Sequence, residues 1–337
     1  MSNDPKVQLL NFEIDDCAVR SDSHFYFLAS HTYNLSDEDD EDAHDPVVSA
    51  EARTLMPLAD QTMKAAIRIA VFFSDRAPEK QWAFRTIRGI EVMRCAGALM
   101  PLPQLVSVSD DGQVFVLGSG VGEMQSRISG HQAGPLRGIV RQVISIAGVA
   151  YAIQTNRGIC KRLAADHWQS LCANLPVSRS NLRHKVKGGF SCAAGSHESD
   201  IYAGGGDGDL WHFDGSVWTE LDFPNAFIEA ICCVSAAEVY VACEGGTIYQ
   251  GSGNSWRKYT QITGARQFRS LLSFGRKLWC AAEFGIWAIS VDEVIRVAMP
   301  LSFIARHCRL ATNGTVLLAT SYRSAAFFDG VNWTSIL

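Results

Sequence analysis

The amino-acid sequence predicts an all-β chain folded as a seven-bladed β-propeller. A six-bladed ring preceded by an irregular N-terminal β region is the alternative. Three observations carry this reading. The hexapeptide FDGSVW, Phe213–Trp218, returns with two letters changed as FDGVNW, Phe328–Trp333, an offset of 328 − 213 = 115 residues. A large side chain recurs in matching apolar runs at Tyr151, Tyr202, Tyr240, Trp279 and Leu317, in steps of 51, 38, 39 and 38, so the offset equals three repeats. In the clearest repeat, the β-branched and aromatic runs AICCV, EVYVAC, GTIYQG and SWRKYT are separated by turn residues. Four strands at a period of about 40 residues describe a propeller blade. A helical repeat of that period needs amphipathic runs of roughly 10–15 residues, and the sequence has none.

The elements follow in order as one domain spanning 1–337. Residues 1–95 are assigned to an enlarged, irregular first blade, with strands in HFYFLASHTY, AIRIAVFFS and KQWAFRTI and an acidic insertion at 35–48. A further strand is expected near Val7–Leu10. Six regular blades are assigned to 96–337. The first of them runs from about 96 to 135, with Phe115 placed as the counterpart of Tyr151, 36 residues upstream. Gly158, Gly208, Gly246 and Gly285 follow the second strands and are expected to supply positive φ in the turns. Trp168, Trp218, Trp256 and Trp333, with Val294 at the remaining site, keep the beat of the fourth strand and are expected to pack between blades. The final NWTSIL reads as an outer strand, so the last blade is complete in itself. Ring closure then rests on face-to-face packing with the first blade, helped by the strand near Val7–Leu10.

Taken together, the aromatic–small strand, the glycine turn and the Asp-Gly-x-x-Trp turn resemble the propellers of the photosystem II assembly-factor type and the wider sialidase-like repeat group. The resemblance covers roughly residues 96–337 and is specific for fold. Sialidase-like repeats carry an aspartate box, Ser/Thr-x-Asp-x-Gly-x-Thr-Trp. Here SVSDDGQVF, FDGSVW and FDGVNW lack its threonine, which weighs against a glycosidase. No Trp-Asp or Gly-His pair recurs at the blade ends, so WD-repeat propellers are less similar.

Composition narrows the function classes. The chain has 337 residues, 47% hydrophobic and 19% charged, with a net charge of −5. An acidic balance argues against general nucleic-acid binding. No apolar run approaches the roughly 20 residues that span a bilayer, and the N-terminus shows no basic-then-apolar signal pattern. The ten cysteines lie mostly in apolar strand-like runs, without a Cys-x-x-Cys pair. They are read as buried, reduced thiols of a cytoplasmic monomer.

Catalytic signatures are absent. No His-x-x-x-His pair with glutamate and no Gly-x-Ser-x-Gly occurs. No metal site and no cofactor is expected. GGGDGDLW, Gly204–Trp211, lies between two strands without a following helix, so it is read as a turn and not a phosphate loop. The run Asp37–Asp45 holds seven carboxylates and one histidine but lacks the spacing of a calcium loop. It is a solvated insertion, or an acidic loop for a basic partner through Asp37, Glu38, Asp39, Asp40, Glu41 and Asp42.

One constellation remains. Innermost strands line a propeller's tunnel, and their starts meet at one mouth. The residues at or before those starts include Arg137, Arg141, Lys185, Lys187, Arg266, Arg269, Arg306 and Arg309, with Phe227 and Glu229 in one repeat. The turns after the second strands share that face and add Arg157, Asp207, Glu244, Glu283 and Arg323. The insertion PVSRSNLRHKVKGG brings Arg179, Arg183 and His184. Arginine forks suit carboxylates and phosphates, and the assembly-factor resemblance implies an arginine patch of this kind. The functional expectation is a non-enzymatic protein-binding propeller. Its most concrete form is a bacterial immunity- or assembly-type protein that masks or chaperones a partner, such as a toxin or effector domain. The alternatives are a hydrolase or lactonase-like enzyme, whose carboxylates at the mouth would be Asp207, Glu229, Glu244 and Glu283, and a scaffold for an anionic ligand.

Overall fold

The computed structural model describes residues 4–31, 65–130, 134–177, 189–291 and 293–337. Among them are seven four-stranded antiparallel sheets, each hydrogen-bonded in sequence order. Blade 1 is β1–β4 (Phe12–Ser21, His24–His31, Ala66–Phe73, Trp82–Arg88). Blade 2 is β5–β8 (Met93–Ala98, Gln104–Ser109, Val114–Gly118, Val121–Gln125), and blade 3 is β9–β12 (Val140–Ile146, Val149–Gln154, Gly158–Ala164, His167–Ser170). Blade 4 is β13–β16 (Phe190–His197, Asp200–Gly205, Leu210–Phe213, Trp218–Glu220), and blade 5 is β17–β20 (Ile228–Ser235, Glu238–Cys243, Thr247–Ser252, Ser255–Gln261). Blade 6 is β21–β24 (Ser270–Phe274, Lys277–Ala282, Gly285–Ile289, Val294–Arg296), and blade 7 is β25–β28 (Arg309–Thr312, Leu317–Thr320, Ala325–Phe328, Trp333–Ser335).

The repeated hexapeptide is the turn between third and fourth strands. In blade 4 the Asp214 carboxylate accepts the backbone N–H groups of Ser216 and Val217, both at 2.8 Å. In blade 7 Asp329 accepts those of Val331 and Asn332, at 2.8 and 2.7 Å. These bonds hold the Asp214 carboxyl down at about 2 and lower that of Asp329. The glycine after each aspartate takes positive φ, +97° at Gly215 and +100° at Gly330, and the tryptophan opens the outer strand.

That strand placement seats the tryptophans against the preceding blade. Trp218 meets Phe190 and Phe213 at ring-centroid distances of 5.8 and 5.1 Å and donates its indole N–H to the Leu171 carbonyl of blade 3 at 2.8 Å. Trp168 is buried among blade 2 side chains. Trp256 sits edge-on to Tyr202 and Phe223 but stays half-buried. Apolar clusters of this kind occupy every junction of neighbouring blades around the ring. Each fully buried aliphatic or aromatic side chain contributes about 1.5–3 kcal/mol.

Among the described residues the ring closes without strand exchange. At the junction of blades 1 and 7, Phe25 stacks on Phe327 at 5.2 Å, and Ile336 and Leu337 pack on the same cluster. The Ile14 N–H donates to the Tyr322 carbonyl at 2.8 Å, and Asn313 and Thr315 donate to the Asp22 carboxylate on the opposite face. The segment expected as a strand near Val7–Leu10 is instead a single helical turn, Pro5–Gln8, capped by Asp4. Proline at the first helical position favours the turn, and Asp4 accepts the Lys6 N–H.

Blade 2 departs from the sequence reading in register. Phe115 lies in β7, the third strand, and pairs with Ser107 of the second strand β6, whose small polar residue gives no aromatic marker. The innermost strand β5 begins at Met93, ahead of the boundary placed at 96. It is short and small-chained (Met-Arg-Cys-Ala-Gly-Ala) because the blades converge at the axis. A Cβ on Gly97 would come within 2.6 Å of the Val19 carbonyl oxygen of blade 1, and one on Gly195 within 3.0 Å of the Ile146 side chain of blade 3. The turn glycines also divide. Gly208 and Gly246 have positive φ, whereas at Gly158 and Gly285 the requirement is space: a Cβ there would meet Gln154 at 2.7 Å or Trp287 at 2.9 Å. All ten cysteines are free thiols, nine of them buried and Cys233 half-buried.

Candidate binding mouth and tunnel throat

The start of every innermost strand and the turn after every second strand fall on one face, because the strands alternate in direction. That face is the mouth. Below it all seven innermost strands line a central cavity of about 370 Å³. Its walls are mostly small or apolar, including Ala96, Gly97, Ala193, Ala194 and Ala230, and its charged lining residues are Asp16, Arg269 and Arg309.

The structure sorts the arginines expected at the mouth into three environments. Arg269 and Arg309 reach the throat. Arg269 donates to Nδ1 of His307 at 2.8 Å, and Arg309 lies 3.7 Å from the Asp16 carboxylate. Arg266, Arg306 and Arg323 are exposed on the rim. Arg306 and Arg323 flank the Tyr322 ring at 5.4 and 5.7 Å, a paired cation–π arrangement between blades 6 and 7. The exposed side chains of Phe284 and Ile304 extend this rim with apolar surface.

Arg137 and Arg157 serve the junction of blades 3 and 4. Arg137 donates to the Leu175 carbonyl at 2.8 Å. Arg157 makes a two-pronged bond from Nε to the Asp209 carboxylate, at 3.0 and 2.9 Å, an ion pair from Nη2 at 2.8 Å, and a contact over the Trp211 ring at 4.9 Å. The sequence GGGDGDLW is thus a turn whose Asp209 receives an arginine. Arg141 is half-buried on β9. Arg179, Arg183, Lys185 and Lys187, and the acidic run Asp37, Glu38, Asp39, Asp40, Glu41 and Asp42, lie outside the described residues.

The carboxylates at the mouth are dispersed in role. Glu229 is half-buried and accepts the Phe268 N–H at 2.8 Å, and burial pushes its carboxyl up. Asp207 and Glu244 are exposed in the second-to-third-strand turns, and Glu283 is half-buried in another. Among the described residues, no group of three or more His, Cys, Asp or Glu side chains is placed to hold a metal ion.

Sequence reasoning missed Arg94, Asp15 and Asp16. All three belong to blades 1 and 2, whose innermost strands lacked the repeat's aromatic beat. Asp16 is buried and joins three blades. It accepts the N–H of Cys17 at 3.0 Å and that of Cys95 at 2.9 Å, and it faces Arg309 of blade 7. The short spacing of Asp-Asp-Cys against Arg-Cys-Ala-Gly-Ala, small residues beside charge, was the available signal.

No family model matches the chain. Among curated proteins it is similar to Immune protein Tsi7 of Pseudomonas aeruginosa, 28% identical over 237 residues, which cover 70% of this chain and 76% of that protein. Among solved structures it is similar to the WD40 β-propeller domain of Doa1, with a TM-score of 0.59 at 12% identity over 93% of this chain and 90% of that one. The computationally designed Ika8 protein gives a TM-score of 0.53 at 12% identity, over 97% and 86%. YCF48 bound to D1 peptide gives 0.48 at 10% identity, over 69% and 77%. The likenesses to Doa1 and Ika8 show the fold, and with the seven sheets they make this chain a seven-bladed β-propeller.

Proposed function

We propose that the chain is a protein-binding β-propeller of the immunity type, which uses its mouth face to cover a partner such as a toxin or effector domain. The similarity to a protein named as an immune protein carries this reading. The geometry supports a choice of face. The rim joins the exposed side chains of Arg266, Phe284, Ile304, Arg306 and Arg323 around the half-buried Tyr322 ring. Arginine and aromatic side chains dominate the energetic centres of protein interfaces. A rim of this sign suits an acidic surface on the partner. Action as a monomer in the cytoplasm belongs to the same proposal, and the buried thiols suit a reducing compartment.

The test is co-expression with the product of the neighbouring open reading frame, scoring co-purification and cell survival. The wild-type chain is expected to form a complex and protect the cell. The combined variant Arg266→Glu, Arg306→Glu and Arg323→Glu is expected to keep its melting temperature and lose binding by roughly a hundredfold at low salt. A folded triple variant that still binds like wild type removes the rim from the interface. A wild-type chain that neither binds nor protects overturns the immunity reading.

A further inference from the structure

We infer that the tunnel throat is an oxyanion site, in which Arg269 and Arg309 hold a small carboxylate or phosphate-type anion. The inference stands independently of the partner proposed above. Blades 6 and 7 send guanidinium groups to one place. Arg269 and Arg309 line the cavity. Arg94, half-buried on β5, is close enough to be repelled by Arg309, and Arg269 is repelled by both. Burial first, and this repulsion second, lowers the pKa of Arg94 and Arg269. A guanidinium does not give up its proton in a protein. Nearby carboxylates oppose this repulsion in part, and a bound anion opposes it further.

The carboxylates nearby do not fill that role completely. Asp15 and Asp16 face the arginines from β1, and Glu283 faces Arg269 from the turn after β22. The two Asp16 oxygens are already engaged by the Cys17 and Cys95 N–H groups. Its 3.7 Å separation from Arg309 exceeds a hydrogen bond. Donors are left over. The Nε atoms of Arg269 and Arg309 are buried and have no hydrogen-bond partner among the described residues. Neither guanidinium is therefore fully satisfied by the protein, and a carboxylate or phosphate-type anion bonds to the N–H groups that remain accessible from the cavity. The space fits as well. A cavity of about 370 Å³ floored by alanine and glycine accepts an anion of a few heavy atoms.

Melting of the full wild-type chain would be followed against sodium phosphate in one arm and sodium malonate in the other, with sodium chloride matched for ionic strength. A saturable rise in melting temperature beyond chloride is expected. Phosphate alone identifies a phosphate-type ligand, malonate alone a carboxylate, and a response to both a general oxyanion throat. In Arg309→Gln and in Arg269→Gln the apparent affinity should fall about tenfold or more, as loss of a charge-assisted hydrogen bond implies. Arg306→Gln on the rim should leave it unchanged. Wild-type crystals soaked in arsenate give the location without any variant, and anomalous density should appear between Arg269 and Arg309. The inference is overturned if neither oxyanion stabilises the chain beyond chloride, if the throat variants respond as wild type does, or if arsenate settles only on the rim.

Discussion

Replacing Trp218 by alanine tests the blade register most directly. Trp218 is buried, with 7% of its surface accessible, between Phe190 and Phe213, and its indole N–H is bonded to the Leu171 carbonyl. Truncating a buried tryptophan costs about 3–5 kcal/mol, from the lost burial and from the cavity that remains. Unfolding entropy near 2.1 cal/mol/K per residue over 337 residues is about 0.7 kcal/mol/K, so the melting temperature should fall by about 4–7 °C. Trp256 is the internal control. It occupies the same place in blade 5 but is half-buried, and its N–H bonds within its own turn to Gly253 at 2.7 Å. Trp256→Ala should therefore shift the transition by roughly half as much. Calorimetry or circular dichroism on both variants, scanned at one rate, is the assay. The reasoning fails if Trp218→Ala melts with the wild-type chain, or if Trp256→Ala is the more damaging of the two.

Asp16→Ala should destabilise the chain by about 3 kcal/mol, since it orphans two buried N–H groups and leaves Arg309 unpaired; chemical denaturation of the purified variant measures this. Gly246→Ala should cost well over 1 kcal/mol, because φ is +84° and a Cβ would meet the Ile262 carbonyl oxygen at 2.3 Å. Gly253→Ala, at φ +53° in open space, should cost about 1 kcal/mol or less, so comparing the two melts separates conformational strain from steric conflict. Burial, then the charges of Arg269 and Arg306, holds the His307 imidazole below its ordinary value of 6.5, against weaker opposing pulls from Glu283 and Glu13. The unfolded chain then binds the proton more readily, so this contribution is present above about pH 6.5 and is lost as the pH falls through that value. Between about pH 7.5 and 5.5 the wild-type chain should lose more melting temperature than His307→Gln; equal slopes would remove His307 from the account.

The later blades were legible because each repeats one local solution. A strand pair with an aromatic near its centre, an aspartate-glycine turn and a tryptophan opening the outer strand recur at Tyr202, Asp214 and Trp218 and, with substitutions, at Leu317, Asp329 and Trp333. Blade 2 was placed a strand out of step because Val106 and Ser107 carry its second strand, while the visible aromatic, Phe115, belongs to the third. The same slip hid β5, and with it Arg94. The arginines of the mouth could be named from sequence as residues preceding innermost strands. Their partners could not. Arg157 finds Asp209 across 52 residues, and Arg309 finds Asp16 only because the ring closes.

The blade was legible from local sequence, because turn chemistry and strand alternation act within about 40 residues. So was the side of each blade that carries basic residues, since strand direction follows from connectivity. How those residues differ follows from the closed ring. Closing seven wedges around an axis buries the starts of some strands and leaves others on the rim. Arg269 and Arg309 become crowded, underpartnered cations in a throat, while Arg306 and Arg323 remain exposed around Tyr322. Charge is written in the chain, but its burial and its neighbours depend on contacts between blades, up to opposite ends of the sequence, that exist only in the closed ring.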